Sequence, residues 1–452
     1  MNACSMPLSL AAKHLGIKYS GNDIEFHGVS TDTRQVRSGE LFIALQGENF
    51  DAHDFIQQAV DAGAVAVVVS RPVEITLPAL LVDDTRLALG RLASAWRIKF
   101  TLPVIAITGS NGKTTVKEMI ASILAVNGQP LVTKGNFNND IGVPLTLFNI
   151  ESQHTHAVIE MGANHIGEIA YLASLAKPNV GVVTNAMSAH LEGFGSLDGV
   201  AKAKGELFEA LDESTVAIIN ADDNYAEQWR EAAIPAQVIE FGVSEKANIR
   251  AENIKFSPVD WNTQFDLQSP SGEVVITLPL AGQHNVVNAL AASAACLALE
   301  ISLEDIQQGL ANMQCVGGRL NAALSPQGAT IIDDTYNANP SSLQAGLEVL
   351  AMMPGKRILV LGDMAELGEA SEELHSQVAV LAREHDVQYL FALGEQSVTA
   401  TEEFGNGGMH FTNHDELATS LRTVLDKHSV VLIKGSRRMH MERIVNAMHE
   451  EH

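Results

Sequence analysis

The chain has 452 residues, 46% of them hydrophobic, 5% aromatic and 18% charged, with a formal net charge of −25 at pH 7. That length holds about two to four domains, each able to bury a core. The acidic balance, with no run of Lys or Arg, argues against a nucleic-acid groove or an anionic membrane surface, which both call for clustered positive charge.

The first segment, "MNACSMPLSLAAKHLGI", has no basic stretch followed by a long apolar core, and nothing later approaches the roughly 18–20 apolar residues of a membrane span. The three cysteines, Cys4, Cys296 and Cys315, are widely spaced and form no C-x-x-C pattern. A reduced, cytoplasmic chain is expected. Next come an apolar strand run, "ELFIAL" (40–45), a capped helix, "DAHDFIQQAVDAGA" (51–64), and a second buried strand, "VAVVVS" (65–70). An amphipathic helix over 86–99 leads to Pro103, the expected boundary of this small α/β unit.

"VIAITGSNGKTTVKEMIASILAVNG" then reads as strand, Gly-rich turn and helix, and "HAVIEMG" (156–162) and "VGVVTN" (180–185) as further strands. Their continuous apolar runs indicate burial on both faces, hence a mostly parallel sheet. Residues 250–278 alternate polar and apolar, which predicts antiparallel strands attached to this sheet, and a helix over 285–300 follows. From 317 the α/β rhythm restarts with "TIIDD", "RILVLGD", "YLFALG" and "VVLIKGS". The expected fold is α/β in three domains: a small N-terminal α/β domain (1–100), a central P-loop-type domain with a mostly parallel sheet (101–316), and a C-terminal Rossmann-like domain (317–452).

"TGSNGKTT" (108–115) departs from the common phosphate-loop spacing, which needs glycine at 107, where this chain has Ile107. Gly109 and Gly112 still let the backbone of Ser110 and Asn111 approach phosphate oxygens. Lys113 can place an ammonium on the β/γ-phosphates, and the Thr114 or Thr115 hydroxyl can ligate Mg²⁺. The plainer reading is a turn that needs two glycines. Glu160, at the end of "HAVIE", faces the loop in a doubly wound sheet and can hold Mg²⁺. His190, past the next strand, is either structural or a second metal ligand. "GNFNNDIGVP" (135–144) brings Asn138 and Asn139 to a glycine-flanked loop, either to bind an amide-rich or sugar substrate or as an Asx-turn cluster.

Taken in order, "TGSNGKTT", "GNFNNDIGVP", "VIEMGANHIGEI", "HLEGFGS", "AKAKGELF", "GQHNVVNALAA", "GGRL" and "DDTYNANP" resemble the Mur ligases, ATP-dependent amide-forming enzymes of peptidoglycan precursor synthesis. "STDTR", "LFIALQGENFDAHDF", "LGDMAELG" and "KGSR" strengthen the likeness to the branch that adds D-alanyl-D-alanine to UDP-N-acetylmuramoyl-tripeptide. The resemblance implies a carboxylate that attacks ATP, an acyl phosphate, and an incoming amine. It implies ATP and one or two Mg²⁺ ions held by Thr114, Glu160 and His190. It also implies a carbamylated lysine near the metal, at Lys204 in preference to Lys202.

It further implies Asn285 for adenine with Asn288 beside it, Arg319 on the γ-phosphate, and Asp334 near the ribose. His284 is expected to be a packing or loop residue. Tyr336, Asn337 and Asn339 would continue toward the cleft. Ser30, Thr31, Asp32 and Arg34 would hold the UDP end, although "STDTR" also reads as a cap or turn. Lys434, Ser436 and Arg437 would meet the dipeptide carboxylate. The small-molecule substrates would be UDP-N-acetylmuramoyl-tripeptide and D-alanyl-D-alanine, with no nucleic acid and no membrane insertion, and the chain is expected to be a monomer. Gly317 and Gly318 would serve as a hinge for closure. The rivals are another Mur ligase; a folylpolyglutamate synthase-like amide ligase, which lacks such a first domain; an ATP-hydrolysing P-loop switch, which leaves the outer domains unexplained; and a non-catalytic nucleotide sensor, which would not need both Glu160 and Lys113.

Overall fold

A computed structural model describes residues 4–47, 50–187 and 191–450. Near the N-terminus, Ser5–Pro7 and Glu25–His27 form an antiparallel ribbon. A parallel four-stranded sheet follows in the order Val29–Ser30, Leu41–Ile43, Ala66–Val69, Ala79–Leu81. The segment read as one helix over 51–64 is two pieces, a 3₁₀ turn Ala52–Phe55 and an α-helix Ile56–Asp61, entered through an Asp51 carboxylate that accepts from the His53 amide. The helix Thr85–Arg97 starts at Asp84, whose carboxylate accepts from the Arg86 and Leu87 amides.

The central sheet has nine strands: Gly272–Leu278, Asn262–Ser269, Ile249–Ser257, Gln237–Gly242, Val216–Asn220, Val180–Val183, Val104–Thr108, His156–Glu160, Pro130–Val132. The expected antiparallel strands at its far side are present, pairing in sequence after Ile249–Ser257. All the other pairs are parallel. From Val104–Thr108 the chain first builds one side of the sheet, at 130–132 and 156–160, then crosses to build the other from 180 onward. That reversal opens a crevice at the carboxyl ends of these strands, where ligands of open α/β sheets bind. The helices Lys113–Leu124 and Gln283–Leu297 pack together on one face; the second starts two residues and ends three residues before the expected range.

The last sheet runs Asn321–Leu324, Thr330–Asp334, Ser429–Lys434, Lys356–Gly362, Tyr389–Leu393, Gly408–Phe411. Four of these are the expected strands. The two edge strands lack an apolar signal because neither is fully buried on either face.

Candidate active site

A cleft of about 1450 Å³ lies where the three sheets' loops converge. Ser110, Asn111 and Gly112 line it, in the stretch 109–112 directly after Val104–Thr108 and before helix Lys113–Leu124. Gly109 has φ +143° and Gly112 φ +82°; a Cβ would come within 2.0 Å of Thr184 Oγ1 at the first and 2.3 Å of Asn288 Oδ1 at the second. Both positions therefore require glycine. The Ser110 amide donates to the Asn185 carbonyl at 3.0 Å and the Asn111 amide to Asn185 Oδ1 at 2.9 Å. These amides are taken, so an anion falls to the N–H groups of the first helical turn, which have no intrahelical acceptor.

Lys113 Nζ folds back over the loop, donating to the Gly109 carbonyl at 2.6 Å and the Ser110 carbonyl at 3.1 Å. Burial lowers its pKa; Glu160 opposes the shift and Arg319 adds to it.

Glu160 ends its strand almost fully buried. Its Oε1 accepts from Asn138 Nδ2 at 2.8 Å, and its amide donates to Thr133 Oγ1 at 3.0 Å. Oε2 is buried and, among the described residues, has no hydrogen-bond partner. The nearest cation is Lys117, whose Nζ lies 3.8 Å away and donates to the Thr133 carbonyl at 2.9 Å. Lys117 is not among the residues expected from the sequence. Its spacing is the available signal: it lies one helical turn after Lys113 and so shares its face.

An unsatisfied buried carboxylate oxygen, in a cleft that Thr114 also lines, suits a divalent cation that completes its shell with phosphate oxygens and water. No cluster of three or more His, Cys, Asp or Glu side chains with metal-binding placement occurs among the described residues. His190 lies outside the described residues.

Lys204 sits in helix Leu197–Glu209, almost fully buried, with Nζ 5.0 Å from the centre of the Phe194 ring. Burial, with Lys113 nearby, pulls its pKa down to about 7 against the opposing pull of Glu168 and Glu206. Glu206 is engaged elsewhere, accepting from the Gly167 and Ala170 amides at the start of the neighbouring helix Glu168–Ala176.

The last sheet reaches the loop twice. Arg319 Nη2 donates to Thr114 Oγ1 at 3.1 Å while its guanidinium lies 4.2 Å over the Tyr336 ring. Asn339 Nδ2 donates to Asn111 Oδ1 at 2.8 Å, and its Oδ1 caps helix Pro340–Met352. Asp334 and Lys434, expected to serve different ligands, are ion-paired with each other, and Lys434 Nζ also donates to the Asn337 carbonyl at 3.0 Å. Ser436 Oγ is bonded to the Asp363 carbonyl at 2.6 Å, whereas Arg437 is exposed at the rim and pairs with Glu442.

Asn285 Nδ2 donates to the Ala281 carbonyl at 2.8 Å, and its Oδ1 accepts from Asn288 at 3.2 Å. His284 lines the cleft with a buried Nδ1 that has no partner among the described residues. Burial and Lys434 push its pKa down to about 4, so its ring is neutral at pH 7.

The buried pair gives a stability prediction. Lys434→Met leaves the Asp334 carboxylate without its cation and should cost about 3–5 kcal/mol. Burial already raises the Asp334 pKa in the folded protein, and losing Lys434 raises it further. A raised folded pKa gives stability at low pH that is lost as pH climbs through it. The drop in melting temperature should therefore be larger at pH 8 than at pH 5.

Ser30, Thr31, Asp32 and Arg34 do not line this cleft. They close on themselves: Ser30 Oγ bonds the Asp32 carbonyl, and Arg34 grips Asp32 at 2.9 and 2.8 Å, holding its pKa down to about 2. The first domain lines the cleft instead through Asp84, Arg86 and Leu87. Asn139 lines the cleft, but its Oδ1 closes a turn ahead of the short helix Gly142–Leu147, accepting from the Ile141 and Gly142 amides at 3.2 and 2.8 Å.

Three stretches match family models: residues 25–97 the Mur ligase family catalytic domain, 107–296 the Mur ligase middle domain, and 318–437 the Mur ligase glutamate ligase domain. The chain is 46% identical over 449 residues to the UDP-N-acetylmuramoyl-tripeptide–D-alanyl-D-alanine ligase of Escherichia coli K12, covering 99% of each. The corresponding ligase of Haemophilus influenzae is 42% identical, with 97% of each chain covered. Among solved structures, MurF from Acinetobacter baumannii superposes with a TM-score of 0.93 at 37% identity over 100% of both chains. MurF from Thermotoga maritima in complex with ADP gives 0.84 at 28% identity, covering 93% of this chain and 96% of that one.

Proposed function

Because the chain belongs to the Mur ligase family, we propose that it joins D-alanyl-D-alanine to the tripeptide carboxylate of UDP-N-acetylmuramoyl-tripeptide at the expense of ATP. The observation that carries this reading is the meeting at one cleft of a glycine loop with Lys113, the unsatisfied Glu160 oxygen, and Arg319 reaching in from the last domain.

The chemistry needs two steps. A carboxylate oxygen of the peptide attacks the γ-phosphorus of ATP; the bond to the β,γ-bridging oxygen breaks, and ADP leaves. The dipeptide amine then attacks the acyl carbon, sheds a proton, and the tetrahedral intermediate collapses with loss of phosphate. Two anions meet in the first step, so fixed positive groups must oppose their repulsion. Lys113 and the amides of the first helical turn do this at the phosphoryl group, and Arg319 adds a second cation from across the cleft.

Thr114 and Glu160 would hold Mg²⁺, with His190 as a further candidate. The ion would neutralise phosphate charge. Lys204, whose pKa burial brings down to about 7, would take up CO₂ in its neutral form, and the carbamate would offer oxygen ligands to the ion.

Asn285 and Asn288 would flank the adenine and Asp334 the ribose. Each must exchange an internal bond to do so. The small first domain would hold the UDP end, with the Ser30–Arg34 turn as its candidate surface. The last domain would hold the dipeptide, with Arg437 the exposed cation for its carboxylate. The Gly317–Gly318 hinge would allow closure, which excludes water from the acyl phosphate. A cytoplasmic monomer suits substrates of this class.

The test is phosphate release from ATP with Mg²⁺, each substrate added alone and then both together. Release that requires both, with a product heavier by the dipeptide, is the expected result. Release with neither would favour an ATPase switch and overturn the reading.

A further inference from the structure

Where the first and central domains meet in the cleft, Arg86 Nη1 donates to Asp140 Oδ2 at 3.0 Å. Both side chains are partly open, at 45% and 37% exposure. Among the described residues this is the sole bond made by either side chain. Most of the Arg86 N–H fork and Asp140 Oδ1 are thus free for a ligand. Their backbones are nonetheless fixed. The Arg86 amide is held by Asp84 at 2.7 Å, and Asp140 follows two asparagines that are both engaged.

We propose that Arg86 and Asp140 form the subsite for the side chain of the third peptide residue, selecting one that ends in a zwitterion, with an ammonium and a carboxylate on the same carbon. The proposal rests on the ligase reading above. Diaminopimelate has such an end. Lysine is the same chain without the distal carboxylate.

The reach fits. The α-carboxylate of the third residue is the group to be activated, so it lies beside Lys113 and Glu160. Asn138 touches Glu160, and Asp140 is two residues further, at most about 7 Å along the chain. The two α-carbons of diaminopimelate are four bonds apart, roughly 5 Å when extended. Leu87 and Ile166, 44% and 52% exposed, line the same cleft and offer apolar surface to the methylenes between.

Charge sets the selection. A guanidinium takes the distal carboxylate in a forked contact, and Asp140 takes the ammonium. With lysine bound, Asp140 still takes the ammonium, but the Arg86 fork meets no distal carboxylate and is left a partly desolvated, unpaired charge at the ligand, which counts against lysine and so acts as specificity.

The test compares kcat/KM of the full chain for the diaminopimelate and the lysine forms of UDP-N-acetylmuramoyl-tripeptide, with ATP and D-alanyl-D-alanine saturating. The wild type should prefer diaminopimelate by about 10- to 100-fold, the range of one charged hydrogen-bonded contact. Arg86→Met should bring the ratio to within about threefold. Asp140→Asn should lower both values, since both substrates carry the ammonium. Arg86→Lys keeps the charge between domains but loses the fork, so it should keep the melting temperature and still reduce the ratio.

A pair that merely ties two domains would lower both values together in Arg86→Met and leave the ratio unchanged, and that result would overturn the subsite. So would a wild type that does not discriminate. A wild type that turns over neither substrate would instead bring down the ligase reading itself.

Discussion

Replacing Lys113 with Met should lower kcat for ligation by about a thousandfold, while the melting temperature barely moves. The scale follows from removing one preorganised donor at developing charge, which costs about 10²–10³-fold, with a full positive charge lost here in addition. The fold should tolerate the change because Lys113 Nζ bonds only to the carbonyls of Gly109 and Ser110 among the described residues. Trapping with hydroxylamine isolates the step: with ATP and the tripeptide alone, the wild type should give a hydroxamate from the acyl phosphate and the variant almost none.

Lys113 also carries a pH signature. Its pKa is lowered by burial in the absence of an anion, and bound phosphate must raise it again. ATP affinity should therefore weaken with rising pH sooner than an ordinary lysine would allow, and the Met variant should lack that dependence. A variant with unchanged hydroxamate yield would remove Lys113 from the chemistry.

The loop was legible because its residue types leave few alternatives. Gly109 and Gly112 occupy backbone conformations and clearances open only to glycine, and such constraints are local in sequence. Glu160 was legible from its place at a strand end. What that position could not convey is the unsatisfied Oε2, which depends on Asn138 taking up Oε1 and on Lys117 Nζ standing 3.8 Å from Oε2, outside hydrogen-bond reach.

Lys117 stayed hidden for the same reason. On a helix it reads as an ordinary polar position, and its burial comes from Thr133, just after the edge strand Pro130–Val132. Asp334 and Lys434 were each seen but not as a pair. They stand opposite each other in register on two parallel strands. Sheet order of this kind is set by crossover connections and leaves no mark in local periodicity. Ser30 to Arg34 are polar and clustered in the sequence, which does not reveal that Ser30, Asp32 and Arg34 bond to one another in a turn outside the main cleft.

Lys204 offers the second large effect. Exchanging dissolved CO₂ out of the buffer should reduce activity by about tenfold or more, and restoring bicarbonate should return it. The neutral amine attacks the carbon of CO₂, one N–H proton goes to solvent, and a carbamate anion remains. An ordinary lysine, with a pKa of about 10.4, is almost wholly protonated at pH 7 and reacts little. Lys204, brought down to about 7, is half neutral there and nearly all neutral at pH 8.5. At fixed CO₂ the carbamate should thus fall away as pH drops below 7, by about a hundredfold per unit once the ammonium dominates, since one proton is lost in freeing the amine and a second in forming the carbamate anion. With ¹³C-bicarbonate, a carbamate carbon resonance should follow this profile in the wild type and be absent from Lys204→Ala. That variant should lose about 10²-fold or more in kcat and recover part of it with acetate or formate, small enough to place a carboxylate where the carbamate stood. Full activity in CO₂-free buffer, with no ¹³C signal, would leave Lys204 as a buried lysine whose lowered pKa serves packing alone.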